Sequence, residues 1–361
     1  MTRLMQTSGT DWATVRRVAE TIAIGAVGGI IFHAAGFPAG LVSGSIVAAA
    51  IAALAGRPLM VPAGLTRVIL VLVGIALGSV VTPDTLKGFA TYPVSIALLA
   101  VSTVAITAAA GAYLLLVHRW NAVSALLGAS PGALAQAIAM SAEIGADARG
   151  IVVVQTMRVV MLAIGIPAGL AYFGLSGGTP RAAAAAAAGT PFGELAILVI
   201  VSTSVAVLLY KTGFAAGWLF GAMLGSAALH GSGLIEARLP WWLADGAMVT
   251  MGAVTGSRFA SLSPRMLLSY LLAAIGSFAV GAAVASAFAI ATVMLLPVRA
   301  ADVVMAFSPG AQDTMMLLAL ALQLDPVFVG AHHLARYVLV SLGIPLAANV
   351  IVRRTKHGSR Q

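Results

Sequence analysis

The chain has 361 residues, 60% of them hydrophobic and only 9% charged, against about 25% charged residues in ordinary soluble domains. That composition excludes a soluble globular protein, and the absence of cysteine excludes disulfides, thiolate metal sites and thiol catalysis. The net charge of +9 comes from basic residues standing singly between apolar runs and at the two ends, so they read as topology signals rather than as a nucleic-acid surface.

In chain order, an N-terminal segment (1–17) precedes apolar segments at 18–35, 40–56, 65–81, 93–117, 121–143 and 149–173. A linker at 174–191, with Pro180, Arg181 and alanine at every position from 182 to 188, leads into segments at 193–210, 214–230, 242–258, 266–295, 301–323 and 327–352. A basic tail, expected to be cytoplasmic like the N-terminal segment, occupies 353–361. At 1.5 Å per residue, about 17 to 25 helical residues cross a hydrocarbon core roughly 30 Å thick. The runs are continuously apolar rather than alternating, which predicts helices and not barrel strands. The 39 glycines predict close helix packing, because small residues let backbones approach where lipid removes the hydrophobic driving force. The first run follows Arg16 and Arg17 without a small-residue cleavage site, so it is expected to stay as a span.

The two sets of segments repeat one another. Gly36-Phe37-Pro38-Ala39-Gly40 returns as Gly213-Phe214-Ala215-Ala216-Gly217 at an offset of 177. At an offset of 178, Gly74 and Gly78 return as Gly252 and Gly256, and Ser130-Pro131-Gly132 as Ser308-Pro309-Gly310. Asp147, Arg158 and Gly165-Ile166-Pro167 return as Asp325, Arg336 and Gly343-Ile344-Pro345 at the same offset. The expected fold is an all-α polytopic membrane protein of two homologous halves, residues 18–173 and 192–352.

The fifth segment of each half is interrupted by Ser-Pro-Gly, and proline inside a helix removes a donor and clashes with the preceding turn. If that segment dips in and returns, each half has five spans plus a re-entrant segment and the halves are inverted. If it crosses, there are twelve spans and parallel halves. Basic residues divide 13 cytoplasmic against 4 outside in the first arrangement and 12 against 5 in the second, so both satisfy the positive-inside rule.

Ser followed by Pro and Gly ahead of an apolar helix is a helix-start signature, with Ser as cap and Pro at the first helical position. Ser130, Pro131, Gly132 and Ser308, Pro309, Gly310 are therefore expected to present two helix N-termini to one midplane site, where free N–H groups and helix dipoles attract an anion; the blander alternative is two kinked packing helices. Arg158 and Arg336 lie inside spans, where a charge costs about 2.5 to 3.5 kcal/mol on insertion scales. Gln155 and His333 each precede one of them by three residues and share its helix face. These arginines either bind the solute beside the tips or serve structure, pairing with a carboxylate or capping carbonyl ends of the hairpin. Asp313 has no acidic counterpart, Ala135 being its equivalent. It is a candidate for proton or Na+ coupling, helped by Gln312, Thr314 and Gln136, or else the partner of Arg336. Arg67 and Asp245 are equivalent positions, readable as a cross-repeat ion pair or as solvated surface charges. Adjacent His332 and His333 project about 100° apart on a helix and do not grip one metal. Trp241 and Trp242 read as interfacial anchors. No metal site or cofactor is expected.

Ser-Pro-Gly, then Gly-Ala-Asp or Gln-Leu-Asp, then Val-Gln-Thr-Met-Arg or His-His-Leu-Ala-Arg, resembles the duplicated AbrB membrane protein family over residues 18–352. That family is distinct from the DNA-binding regulators sharing its name. More distantly it is similar to bacterial secondary transporters with two inverted five-span halves and a re-entrant segment before the last span, which favours inversion here.

The expected function is a multi-pass bacterial inner-membrane transporter or exporter that passes a small anionic or zwitterionic solute by alternating access between its halves. No G-x-x-x-x-G-K-[ST] loop encodes ATP drive. The resemblance brings two other labels. An ammonia monooxygenase needs clustered metal ligands that this sequence does not offer. Control of gene expression would have to act indirectly, as a membrane sensor, because no soluble DNA-reading module remains. The expected partners are the solute and the bilayer, without direct nucleic-acid contact; a homo-oligomer is left open.

Overall fold

A computed structural model of the chain describes residues 12–81, 92–132, 134–175, 192–214 and 216–358. The described residues form fourteen α-helices and no strand. The first half holds α1 (Trp12–Ala34), α2 (Gly40–Leu54), α3 (Ala63–Gly78), α4 (Tyr92–Leu116), α5 (Ala122–Ala129), α6 (Leu134–Ile144) and α7 (Ala148–Tyr172). The second holds α8 (Phe192–Lys211), α9 (Gly217–Gly231), α10 (Trp241–Ser257), α11 (Pro264–Leu295), α12 (Ala300–Phe307), α13 (Gln312–Ala321) and α14 (Pro326–Gly358). A helix stands in every expected segment, and the fifth and eleventh segments are each split in two. The helix α1 begins inside the expected N-terminal segment, and α14 runs on through most of the expected tail. The 176–191 stretch of the linker, with Pro180, Arg181 and the alanine run, lies outside the described residues.

Among the described residues five helices, α4, α7, α8, α11 and α14, are long and apolar enough to cross a membrane. Large side chains such as Val101 and Val104 on α4, Ile200 and Leu208 on α8, and Leu272 and Met294 on α11 point outward. An apolar surface this broad suits lipid and not water, which marks the chain as a membrane protein. Trp241 and Trp242, at the start of α10, are exposed, as amphipathic rings at a membrane interface would be.

Glycine sets the helix packing. In one bundle α1 lies on α2, α8 on α9, α2 on α10 and α3 on α9. A Cβ built on Gly44 would stand 2.1 Å from the Gly28 carbonyl oxygen, so the backbones of α1 and α2 meet directly. Gly252 faces Val42 and Ser45 while Gly256 faces Ile46 and Ala49, so α2 and α10 run in the same direction. Likewise Gly74 faces Leu219 and Ala222 while Gly78 faces Met223 and Ser226, so α3 and α9 also run in the same direction. Ser226 Oγ seals that contact by donating to the Ile75 carbonyl at 2.8 Å. The other bundle is built on α4 against α11, with α5, α7, α12 and α14 packed around them.

Candidate functional site

Each split segment is a hairpin that returns to the level where it began. Asn121 caps α5, its Oδ1 accepting from Ser124 N at 2.8 Å. Twenty-three residues later the Asp147 N–H donates to Ser124 Oγ at 2.8 Å, which holds the foot of α6 beside the start of α5. Asp147 then caps α7, its Oδ1 accepting from Arg149 N and Gly150 N at 3.1 and 3.2 Å, while Tyr270 of α11 donates to its Oδ2 at 2.7 Å. The second half repeats the device. Asp325 N donates to Asp302 Oδ1 at 2.8 Å, and Asp325 caps α14 through Val327 N and Phe328 N at 2.9 and 3.1 Å. Arg299 holds Asp302 by two hydrogen bonds of 2.7 and 3.0 Å. Burial pushes the Asp325 carboxyl above the usual carboxylate range, against the pull of the Phe328 N–H. Nothing in the local pattern singles out Ser124 and Asp302, although both sit at the same offset of 178 as their partners.

The Ser-Pro-Gly turns close the first arm of each hairpin instead of opening the second. Ser130 is the C-cap of α5, with φ −62° and ψ 127°, because the residue before proline is driven out of the helical region. Its Oγ donates back to the Leu127 carbonyl at 3.0 Å, and Ser308 Oγ donates to the Val304 carbonyl at 2.6 Å. Gly132 takes φ +83°, a left-handed turn that favours glycine. The next helices start only at Leu134 and Gln312, so Pro131 and Pro309 are not first helical residues. This corrects the expected cap.

The two intramembrane arginines finish those turns. Arg158 donates from Nη2 to the Gly128 carbonyl at 2.7 Å and from Nη1 to the Ser130 carbonyl at 3.2 Å, and Gln155 donates to the Leu127 carbonyl at 2.7 Å. Arg336 donates in the same way to the Ala306 and Ser308 carbonyls, and His333 Nε2 lies 3.2 Å from the Met305 carbonyl. Both arginines are at most 5% exposed. Of the readings left open for them, the hydrogen bonds match the capping of carbonyl ends. No carboxylate neutralises either one among the described ion pairs.

The two hairpin tips touch: a Cβ built on Gly132 would lie 3.6 Å from the Gly310 carbonyl oxygen. Asp313, in the first turn of α13, is bonded to Arg258 at the end of α10 and not to Arg336. In the sequence Arg258 reads as a topology charge only, and its partner is 55 residues away, beyond the reach of local spacing. Asp313 Oδ1 also accepts from Thr314 N at 2.9 Å. Gln136 donates to the Ser341 carbonyl at 3.0 Å and Gln312 to the His333 carbonyl at 2.9 Å, so both carboxamides tie returning arms to α14.

Arg67 lies over the rings of Tyr210 and Trp218, 5.6 and 5.7 Å from their centroids, and makes no ion pair with Asp245 among those described. This replaces the cross-repeat pair with a cation–π contact. His332 bonds to the Phe328 carbonyl at 2.7 Å and to Ser95 Oγ at 2.8 Å, tethering α14 to α4 on a different side from His333. Among the described residues no three His, Asp or Glu side chains converge as a metal-ligand set.

Two comparisons with known proteins bear on this architecture. A chain of Bacillus subtilis (strain 168) named "Uncharacterized protein YhjN" is 26% identical over 354 residues, covering 90% of each chain. The family model described as "Transition state regulatory protein AbrB" matches residues 41–352, which takes in both hairpins, both buried arginines and the glycine contacts between α2 and α10. The chain belongs to the AbrB family.

Proposed function

We propose that the chain is a multi-pass inner-membrane secondary transporter in which two inverted repeats pass a small anionic or zwitterionic solute between them by alternating access. The observation that carries this reading is the meeting of Gly132 and Gly310 at the tips of two matching hairpins. Broken segments at corresponding positions of two repeats are where transporters of this architecture place their solute.

Two further relations support inversion. The hydrogen bonds from Asp147 to Ser124 and from Asp325 to Asp302 fit re-entrant hairpins rather than crossings. In inverted halves the second helix of one repeat runs in the same direction as the third helix of the other, and α2 with α10, and α3 with α9, do so; parallel halves would oppose them.

Charge supports the solute class. A helix C-terminus carries about half a negative elementary charge, so a full guanidinium on each of α5 and α12 leaves a positive excess at the tips. The N-termini of α6 and α13 add to it. A proton or Na+ reaches Asp313 only in competition with Arg258.

The experiment is uptake into proteoliposomes from a defined mixture of small carboxylates and amino acids, with and without an imposed pH or Na+ gradient. Accumulation of at least one component above empty vesicles supports the reading. Binding without accumulation of any component favours a membrane sensor, the function that the word "regulatory" in the family description would fit.

A further inference from the structure

We infer that Arg258 and Asp313 form a charge-exchange site for a zwitterionic solute beside the hairpin tips: its carboxylate takes Arg258 and its cationic group takes Asp313. The inference rests on the transporter reading for the site's purpose, but the site itself rests on three independent observations.

First, the other interior arginines are spent. Arg158 and Arg336 are buried and each serves two backbone carbonyls. Arg258 and Asp313 are 31% and 21% exposed, so a solute reaching the tips meets this pair and not the buried guanidiniums.

Second, the pair has no counterpart. At the offset of 178 the positions of Arg258 and Asp313 are Val80 and Ala135. The hairpin scaffold is repeated, yet the accessible charge is carried by one half only. The arginine caps and the aspartate helix caps stand in both halves, whereas this pair, like Arg299–Asp302 at the hairpin foot, stands in one.

Third, access is one-sided. The first arms of the two hairpins are alike, with Leu127 and Met305 both fully buried. The returning arms differ: on α13 Met315, Met316, Leu317 and Leu318 are fully buried, whereas on α6 Ile138, the equivalent of Met316, is 38% exposed. The arm α13 packs on α2, α3, α7 and α10, while α6 packs chiefly on α5 and α7. The face of α6 at Ile138 is therefore exposed where the equivalent face of α13 is covered.

The solute class follows from the pair's own balance. Arg258 and Asp313 satisfy each other, and separating them leaves an uncompensated charge in a partly desolvated place. A simple anion replaces Asp313 on Arg258 but strands the Asp313 carboxylate beside it. A simple cation strands Arg258. A solute with both charges replaces both halves of the bridge.

The test is binding to the purified full chain in nanodiscs, using L-alanine, L-glutamine and glycine betaine as zwitterionic probes, with propionate and n-propylamine as their single-charge counterparts. At least one zwitterion should bind. Propionate and n-propylamine should bind at least tenfold more weakly, Arg258→Gln and Asp313→Asn should each weaken the zwitterion at least tenfold, and Arg258→Lys should recover part of the loss. Binding by none of the probes, propionate binding as well as L-alanine, or wild-type affinity in a monodisperse Asp313→Asn protein overturns the site. If either variant does not fold, the comparison of zwitterion with propionate on the unaltered chain still decides. Binding with the expected variants but without proteoliposome uptake overturns the transport reading and leaves the site standing, whereas undiminished uptake by Arg258→Gln removes the site and leaves transport.

Discussion

Gly132 and Gly310 face each other at the tips of two hairpins, with room for one Cβ between Gly132 and the Gly310 carbonyl at 3.6 Å. Gly132 is held at φ +83°, where a side chain costs roughly 1–2 kcal/mol. Gly132→Ala should therefore fold with a modest loss of stability, while Gly132→Val should fill the gap between the tips. We predict that Gly132→Val abolishes uptake at normal expression. Unchanged uptake by Gly132→Val would mean that the tips are not the solute passage.

The buried arginines should behave as structural members. Each serves two backbone carbonyls, of which that of Ser308 also accepts from Gly310 N at 2.9 Å, and a buried acceptor left unsatisfied costs about 1–3 kcal/mol. Arg158→Gln and Arg336→Gln should lower thermal stability by about 2 kcal/mol or more on that basis, and lysine, with one point charge in place of a fork, should not rescue either. Thermal unfolding in detergent, with solvent-facing Arg265→Gln as control, reads this directly. Of the two readings the sequence leaves open for Arg336, solute binding or structure, the carbonyl bonds match the structural one.

The glycine contacts predict a contrast between two substitutions to alanine. A Cβ on Gly256 would stand 2.4 Å from the Ile46 carbonyl oxygen, a backbone atom, whereas one on Gly165 would meet nothing within 4 Å. Gly256→Ala should force α2 and α10 apart at a cost of about 1–3 kcal/mol. Gly165→Ala should be neutral or gain about 0.5–1 kcal/mol in helix stability. Equal unfolding midpoints for the two would contradict the packing described for α10.

Because the chain has no cysteine, single introduced cysteines can tell whether the exposed face of α6 meets water or lipid. Ile138→Cys should react with a charged, membrane-impermeant thiol reagent in open membranes, and Met316→Cys should not. If Ile138→Cys reacts only with a membrane-permeant reagent, α6 faces lipid and no water-filled path runs along it.

Much of the fold is legible in the sequence because it depends on local pattern. Apolar runs mark every helix, and Ser-Pro-Gly marks both interruptions. The offset of 178 pairs Arg158 with Arg336 and Ser130 with Ser308 from residue order alone. What stays hidden depends on direction and on distant neighbours. Charge does not choose between inverted and parallel halves, since 13 against 4 and 12 against 5 are close, whereas the register of Gly252 and Gly256 along α2 depends on which way the helix runs. Ser130 looks like a helix start because Ser-Pro is common there; the left-handed Gly132 delays the next helix and leaves Ser130 closing the previous one. Arg258 is hidden because an ion pair between α10 and α13 has no helical spacing to announce it.

The most direct test of the inverted, re-entrant architecture is labelling of intact cells by a membrane-impermeant maleimide, with one cysteine at Ala184 in the linker and, separately, one at Ala146 at the foot of the first hairpin. The linker position lies outside the described residues, and Ala146 immediately precedes the cap of α7. Labelling is expected at position 184 and not at 146, with the first hairpin returning to the cytoplasm and α7 then crossing. Labelling at 146 and not at 184 would mean that the split segments cross the membrane and that the halves are parallel and not inverted.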